Sequence, residues 1–304
     1  MFLVTRSIIE ILEKKGPLTG SELIEESGAE GFSVWRKARK SHEIILSSVA
    51  RHYLRLDRRL KELSRISPSI FREFLTYTVV GLEKQREAIE RKCASLSSHI
   101  EKVSKEKIEL AYEVMCAIGS EADPLFPLEK AVCVIIAGDI VYCMAHDVPR
   151  PERSTGKLVR GSDIDLVVVA DDGIAEHVIK RIDDLIYQEK YRLLVTPHIR
   201  EEIDYVVKGI DKVKEQLLFD NFGRILACKI LQEGTLLYGN SSLFSRIKAM
   251  LKETGLTGRL LEMENCARAF RRQAEERLMQ LPLESLTEED RNLFYPADES
   301  EEFD

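Results

Sequence analysis

The chain opens with apolar residues at helical spacing and then changes to short extended runs. Isoleucine and leucine recur at three- and four-residue intervals up to a stop at Gly16-Pro17, and the hydroxyl of Thr19 or Ser21 can cap the next helix. Two later apolar runs have the length and composition of strands joined by a tight connection. The pattern predicts three helices followed by a strand pair, over residues 5–15, 19–26, 32–40, 44–46 and 53–56.

Residues 1–66 therefore resemble a winged helix-turn-helix, in which the third helix would be the recognition helix. Between positions 33 and 60, eight basic residues outnumber two acidic ones in a chain whose net charge is −7. Such a patch is typical of phosphate-backbone binding, although winged helices also dock proteins and charge runs are often only solvated faces. The candidate contacts to DNA or RNA are Arg36, Lys37, Arg39, Lys40, Arg51 and Arg55.

A long helical pattern covers residues 67–122 and begins at Ser67-Pro68. Apolar residues fall seven apart along it, at Leu82, Ile89, Leu96, Val103 and Leu110. An apolar line of this length needs a partner, either another helix of the chain or the same helix of a second copy. A homodimer through this helix is one expectation.

The next domain, residues 123–240, carries the candidate chemistry. An aliphatic strand over 131–137 ends in Gly138-Asp139, and a second strand lies in the stretch RGSDIDLVVV at 160–169. Side chains alternate across a strand, so Asp163 and Asp165 should point to one face. The valines that follow indicate a strand covered on both sides, which would hold these acids rigidly. Paired carboxylates of this kind suit Mg²⁺, or Mn²⁺, together with phosphate oxygens.

A glycine-led turn, Ser-Asp-Ile-Asp-Leu and an aliphatic strand together resemble the nucleotidyltransferase domain of the DNA polymerase β superfamily. That superfamily includes the minimal nucleotidyltransferases, the CCA-adding enzymes and the kanamycin nucleotidyltransferases. The resemblance covers roughly residues 128–239 and includes a Glu-Gly followed by a Leu-Tyr strand near its end. It implies an α+β fold with a small mixed sheet and an NTP as substrate.

The same resemblance assigns roles to residues around the acidic strand. Asp163 and Asp165 would be catalytic and hold the metal, and Gly138, Asp139, Gly161 and Ser162 would bind the nucleotide. Asp139 departs from the family pattern, which has a serine there. The departure matters because a carboxylate repels a phosphate unless a metal lies between them. The basic loop between these turns either closes over a triphosphate or is a mobile surface insertion.

The family's third carboxylate is expected on the following strand, which the pattern predicts at 191–196. No acid occurs on that strand. Apolar residues at three- and four-residue spacing predict a helix over 200–218, and this makes Asp204 a poor substitute. Further helices are predicted over 243–281, within a C-terminal segment at 241–283.

Length and composition bound the number of domains and the cellular location. With 304 residues the chain has room for two or three domains, and no apolar stretch is long enough for a membrane span or a signal peptide. We therefore expect a cytoplasmic protein that does not contact a membrane. The six cysteines are scattered without zinc-like spacing. The tail at 284–304 contains nine acids and one arginine, which predicts a solvated end or, alternatively, a mimic of nucleic-acid phosphate.

Three functional hypotheses follow. The first is a metal-dependent nucleotidyltransferase that moves NMP from an NTP to a hydroxyl of a protein, RNA or small molecule. The second is a winged-helix regulator whose degenerate nucleotidyltransferase domain senses a nucleotide or docks a partner without turnover; the missing third acid favours it. The third is an antitoxin, because minimal nucleotidyltransferases often occur in toxin pairs.

Overall fold

The computed structural model describes residues 2–60, 63–121, 128–152, 155–282 and 285–295. Helices with small sheets between them make up a mixed α+β fold, the class that the sequence predicts. The elements up to the long helix are α1 (Phe2–Lys15), β1 (Leu18–Thr19), α2 (Gly20–Ser27), α3 (Gly31–Lys40), β2 (Ile44–Ser48), β3 (Tyr53–Leu56), β4 (Ser64–Ser67), α4 (Ile70–Arg72), β5 (Thr78–Leu82) and α5 (Arg86–Glu121). Those after it are α6 (Leu128–Ala131), β6 (Val132–Ala137), β7 (Pro149–Pro151), β8 (Leu158–Arg160), β9 (Ile164–Ala170), α7 (Glu176–Val195), β10 (Ile203–Gly209), α8 (Ile210–Gln216), α9 (Phe222–Glu233), β11 (Thr235–Gly239), α10 (Ser241–Glu253), α11 (Leu256–Gln280) and α12 (Glu288–Phe294).

The chain divides into two compact units, and each is built from separated stretches. The first unit takes Met1–Asp57, Ser64–Ile100 and Glu264–Asp304, and the second takes Arg58–Leu63 and Glu101–Met263. Helix α5 supplies residues to both units.

The first unit contains the predicted N-terminal helices and a three-stranded antiparallel sheet in the order β1-β5-β2. Thr19 caps α2 as predicted, because its hydroxyl accepts from Glu22 N–H and the Glu22 carboxylate accepts from Thr19 N–H at 2.7 Å. Both strands of the predicted hairpin exist, but their pairing prediction was wrong. β2 pairs with β5 and β3 pairs with β4, so each strand finds its partner further along the chain.

The long helical segment predicted over residues 67–122 is helical in only part of that range. A π-helix at Glu73–Tyr77 leads into β5, where the Thr-Val-Val run pairs with β2. β-branched residues pack well on a pleated surface, and this explains why the run forms a strand. The long helix begins only at Arg86.

The core of the first unit is completed by the C-terminal helices. Ala274 and Leu278 of α11 are buried among side chains of α1, α2 and α3. Phe294 of α12 stacks within 5.1 Å, centroid to centroid, of the rings of Phe32, Trp35 and Phe71. The first part of the expected solvated tail is therefore a docked helix, and residues 296–304 lie outside the described part of the chain.

The second unit is built on a four-stranded mixed sheet in the order β10-β9-β6-β11. β9 runs parallel to β10 and antiparallel to β6, and β6 is antiparallel to β11. One face packs on the C-terminal half of α5 and on α7, with core residues such as Leu166, Val114 and Ile186. Helices α9 and α10 pack against β6. The apolar line of α5 is thus covered from Val103 to Ile118 by this chain's own core, and the homodimer stays a prediction.

Two elements next to the acidic strand differ from prediction. The expected strand at 191–196 is the last turn of α7, and the expected helix at 200–218 is β10 followed by the short α8. In β10 the core-facing residues Ile203, Tyr205 and Val207 alternate with Asp204 and Val206. The apolar spacing at 199, 203, 206 and 210 also fits a helix, and local periodicity alone does not separate the two readings.

Candidate metal centre

The two predicted acids lie on one face of the central strand. Ile164, Leu166 and Val168 of β9 are buried in the core shared with α5 and α7. Because side chains alternate along a strand, Asp165, and Asp163 just before the strand, project to the opposite face. β9 is paired on both sides, so its backbone holds the two carboxylates in fixed positions.

A third carboxylate joins them from the neighbouring strand. Asp204 of β10 is in register with Asp165 of β9. Carboxylate oxygens of Asp163, Asp165 and Asp204 all lie within 4.8 Å of one another. The prediction that Asp204 lies on a helix was therefore wrong, and the strand pairing brings this weaker candidate into the group that could hold a metal ion. The signal in the sequence that favoured a strand was the β-branched and aromatic content of residues 203–207.

The turn after β6 makes room for this arrangement. Gly138 has φ +75°, and a Cβ built on it would lie 2.1 Å from Oδ2 of Asp165. Ala137 pairs with Asp165 across β6 and β9, which brings the turn against the carboxylate. Only glycine combines this backbone angle with the space that Asp165 occupies.

The other predicted nucleotide-binding residues surround the same turn. Ser162 is buried; its N–H donates to the His146 carbonyl at 3.0 Å, and its hydroxyl donates to Oδ2 of Asp139 at 3.2 Å. The same hydroxyl accepts from His146 N–H. Gly161 has φ +58° and lies against the His146 carbonyl. Two of the predicted nucleotide-binding residues, Ser162 and Asp139, are thus hydrogen-bonded to each other.

Burial and neighbouring carboxylates oppose ionisation of the central acid, Asp165. Burial, followed by the charges of Asp163, Asp139 and Asp204, raises the pKa of Asp165 well above its ordinary value. Carboxylate charges this close repel one another, and a cation bound between them offsets that repulsion. Three carboxylates are the oxygen ligands that Mg²⁺ and Mn²⁺ prefer, so the residues present fit a hard divalent ion.

Two cations of the chain approach the triad. Lys190 of α7 donates to Oδ1 of Asp204 at 2.8 Å, and an Arg150 nitrogen lies 3.9 Å from Oδ2 of Asp163. The Lys190 side chain is 28% exposed, whereas Arg150 is buried. Lys190 was not predicted as a site residue, because the sequence pattern placed a strand directly after it, at 191–196.

Of the six predicted nucleic-acid contacts, two are bound to another helix of the chain and four are not shown bound to it. Arg36 is buried and donates to the Met279 carbonyl of α11, while Arg39 forms an ion pair with Glu275 of the same helix at 2.8 Å. These two arginines hold α11 against α3. Of the remaining candidates Lys40 and Arg51 are exposed, and Lys37 and Arg55 are half-buried.

The described residues include no helix that is both long enough and apolar enough to cross a bilayer. No protein-family model, curated protein or solved structure matches the chain.

Proposed function

We propose that the chain is a metal-dependent nucleotidyltransferase that moves NMP from an NTP to a hydroxyl group of a protein, RNA or small molecule. The observation that carries the proposal is the acidic triad, with Asp163 and Asp165 from one strand and Asp204 from the next. The glycine turn supports it further, since the absence of a side chain at Gly138 leaves Asp165 the space it occupies beside the turn.

In this proposal the triad would hold Mg²⁺ or Mn²⁺, which when bound offsets charge on the phosphoryl group and on the departing pyrophosphate. The acceptor oxygen forms a bond to the α-phosphorus, and the bond from that phosphorus to pyrophosphate breaks. Asp204 is the best candidate to take the acceptor's proton, because its side chain is 52% exposed against 40% for Asp163.

The direct test is pyrophosphate release from each NTP with Mg²⁺ or Mn²⁺ by the full-length chain. We expect release by the wild type and its loss in D165N and D204N. D211N is the matched control, because Asp211 lies in the same unit on α8 with an 81% exposed side chain paired to Lys214. Labelled NTPs incubated with cell extract would then show which molecule gains the label.

A second candidate function is a nucleotide sensor without turnover. It is favoured by Asp139, which replaces a phosphate-binding serine of the family pattern and engages the hydroxyl of Ser162. Wild-type protein that binds NTP and Mn²⁺ but releases no pyrophosphate with any acceptor would favour the sensor and exclude the transferase.

For the first unit we propose a winged helix that contacts nucleic acid. The order helix, strand, two helices and two further sheet strands, with the last strand central, fits that fold, and β3 and β4 are inserted between the wing strands. With Arg36 and Arg39 bound to α11, Lys40 and Arg51 are the exposed basic candidates. Binding to duplex DNA or RNA should weaken with salt, and K40Q/R51Q should reduce the salt slope.

A further inference from the structure

Two ion pairs lie side by side behind the triad, within the second unit. Lys107 of α5 pairs with Glu201, and Arg150 of β7 pairs with Glu202 at 2.8 Å. All four residues are buried. Glu201 and Glu202 directly precede β10, the strand that carries Asp204.

Both cations also bind the loop that leads to the other two acids. The Lys107 ammonium donates to the Arg160 carbonyl at 2.8 Å, and Nε of Arg150 donates to the Gly161 carbonyl at 2.7 Å. Each cation therefore links the segment before Asp163 to the segment before Asp204.

Backbone hydrogen bonds join the same two segments. Arg160 N–H donates to the Arg200 carbonyl and Ile164 N–H to the Glu202 carbonyl, both at 2.9 Å. Arg200 has φ +50°, a conformation that costs a non-glycine residue energy and persists only where its surroundings fix it. The two segments are thus linked by both cations and by these backbone hydrogen bonds, and Nε of Arg160 also lies 3.9 Å from Oε1 of Glu201.

Stability alone does not explain these buried charges. Burial lowers the pKa of Lys107 and raises the pKa of Glu201, so the surroundings oppose both charges of that pair. Buried ion pairs are often no more stabilising than apolar residues of similar size. What the two pairs supply beyond apolar packing is direction, since each cation reaches a glutamate and a carbonyl at once.

We propose that Lys107–Glu201 and Arg150–Glu202 are positioning pairs that fix the spacing between Asp163 and Asp204 for the metal. The inference rests on the proposed function in that it assumes the triad binds a divalent cation. It assigns the basic loop before β9 a role that neither sequence hypothesis gave it, because Arg150 points inward and braces the site.

The test measures by calorimetry how tightly the full-length chain and each variant bind Mn²⁺ alone. Thermal unfolding of each variant shows whether it is folded. K107M/E201M removes one pair as a unit, so its unfolding temperature should stay close to that of the wild type. R150K keeps the charge but cannot reach Gly161 and Glu202 together. We expect each variant to bind Mn²⁺ roughly 10- to 100-fold more weakly, the usual loss when the partners of metal ligands are removed.

The control is K208M. Lys208 is a buried cation on β10 as well, but it bonds the side chain of Gln216 and lies away from the braced segments. Its Mn²⁺ affinity should stay within twofold of the wild type. Raising the Mn²⁺ concentration should restore most pyrophosphate release in R150K, which a collapsed site would not allow.

Equal Mn²⁺ affinity in wild type, R150K and K107M/E201M would overturn the positioning role and leave the proposed function standing. Absence of Mn²⁺ binding by the wild type would overturn both. If R150K fails to fold, the double variant decides alone, because its apolar replacement preserves the core.

Discussion

Replacement of Gly138 by alanine tests the geometry of the centre most directly. The new methyl would lie 2.1 Å from Oδ2 of Asp165, and ordinary contact begins at 3.4 Å. The carboxylate oxygen or the turn must therefore move by about 1.3 Å, and a displacement of roughly 1 Å can cost about 100-fold in rate. The positive φ of +75° adds strain of about 1–2 kcal/mol to the free energy of folding.

Gly173 offers a matched control in the same unit. Its φ is +81°, and a methyl there would meet nothing within 4 Å. G173A should therefore lose about the same 1–2 kcal/mol of stability from backbone strain and keep its activity. Chemical denaturation gives the stability of both variants, and pyrophosphate release gives their rates. If the rate of pyrophosphate release by G138A is within threefold of the rate by G173A, the contact between the turn and Asp165 does not control the activity of the centre.

Three further predictions concern side chains. K190Q should bind Mn²⁺ roughly fivefold more tightly by calorimetry, because it removes a cation that competes for Asp204, and unchanged or weaker binding would contradict this. F294A should lower the unfolding free energy by about 3–5 kcal/mol in denaturant, and F270A, whose ring is 41% exposed, by much less; similar losses would refute docking of the last helix. The pKa of Glu73 lies below its ordinary 4.5, since bonding to His52 and the charge of Arg271 outweigh burial. Its contribution to stability should be present above about pH 4.5 and lost as the pH falls through the lower folded value, and thermal melts of E73Q should depend less on pH in that range.

The acidic strand was predictable because its signal is local. Glycine, alternating acids and a valine run fix a turn, a strand and a shared face within ten residues of sequence. The capping of α2 by Thr19 was equally local. Such features depend on backbone sterics and on neighbours a few residues away.

Features that depend on distant partners could not be predicted in the same way. Asp204, a weak candidate in the sequence, is brought beside Asp165 only by the pairing of β10 with β9, and the spacing of its apolar neighbours also fits a helix. The sequence predicts Arg36 as a nucleic-acid contact. In the structure its guanidinium donates to a carbonyl of α11, more than 200 residues later. The pairing of β2 with β5 likewise spans an insertion that the local pattern does not reveal.

The in-register match of Asp165 and Asp204 has a consequence for how this chain can change in length. A strand that slips by one residue turns every side chain to the opposite side of its sheet. Insertions at the exposed turns 172–173 and 197–198 alter only the surface, but a single residue added directly before Ile203 would shift Asp204 to a core-facing position and Ile203 to an exposed one. Length variation should therefore be tolerated at those two exposed turns and rejected within α7 and from Glu201 onward.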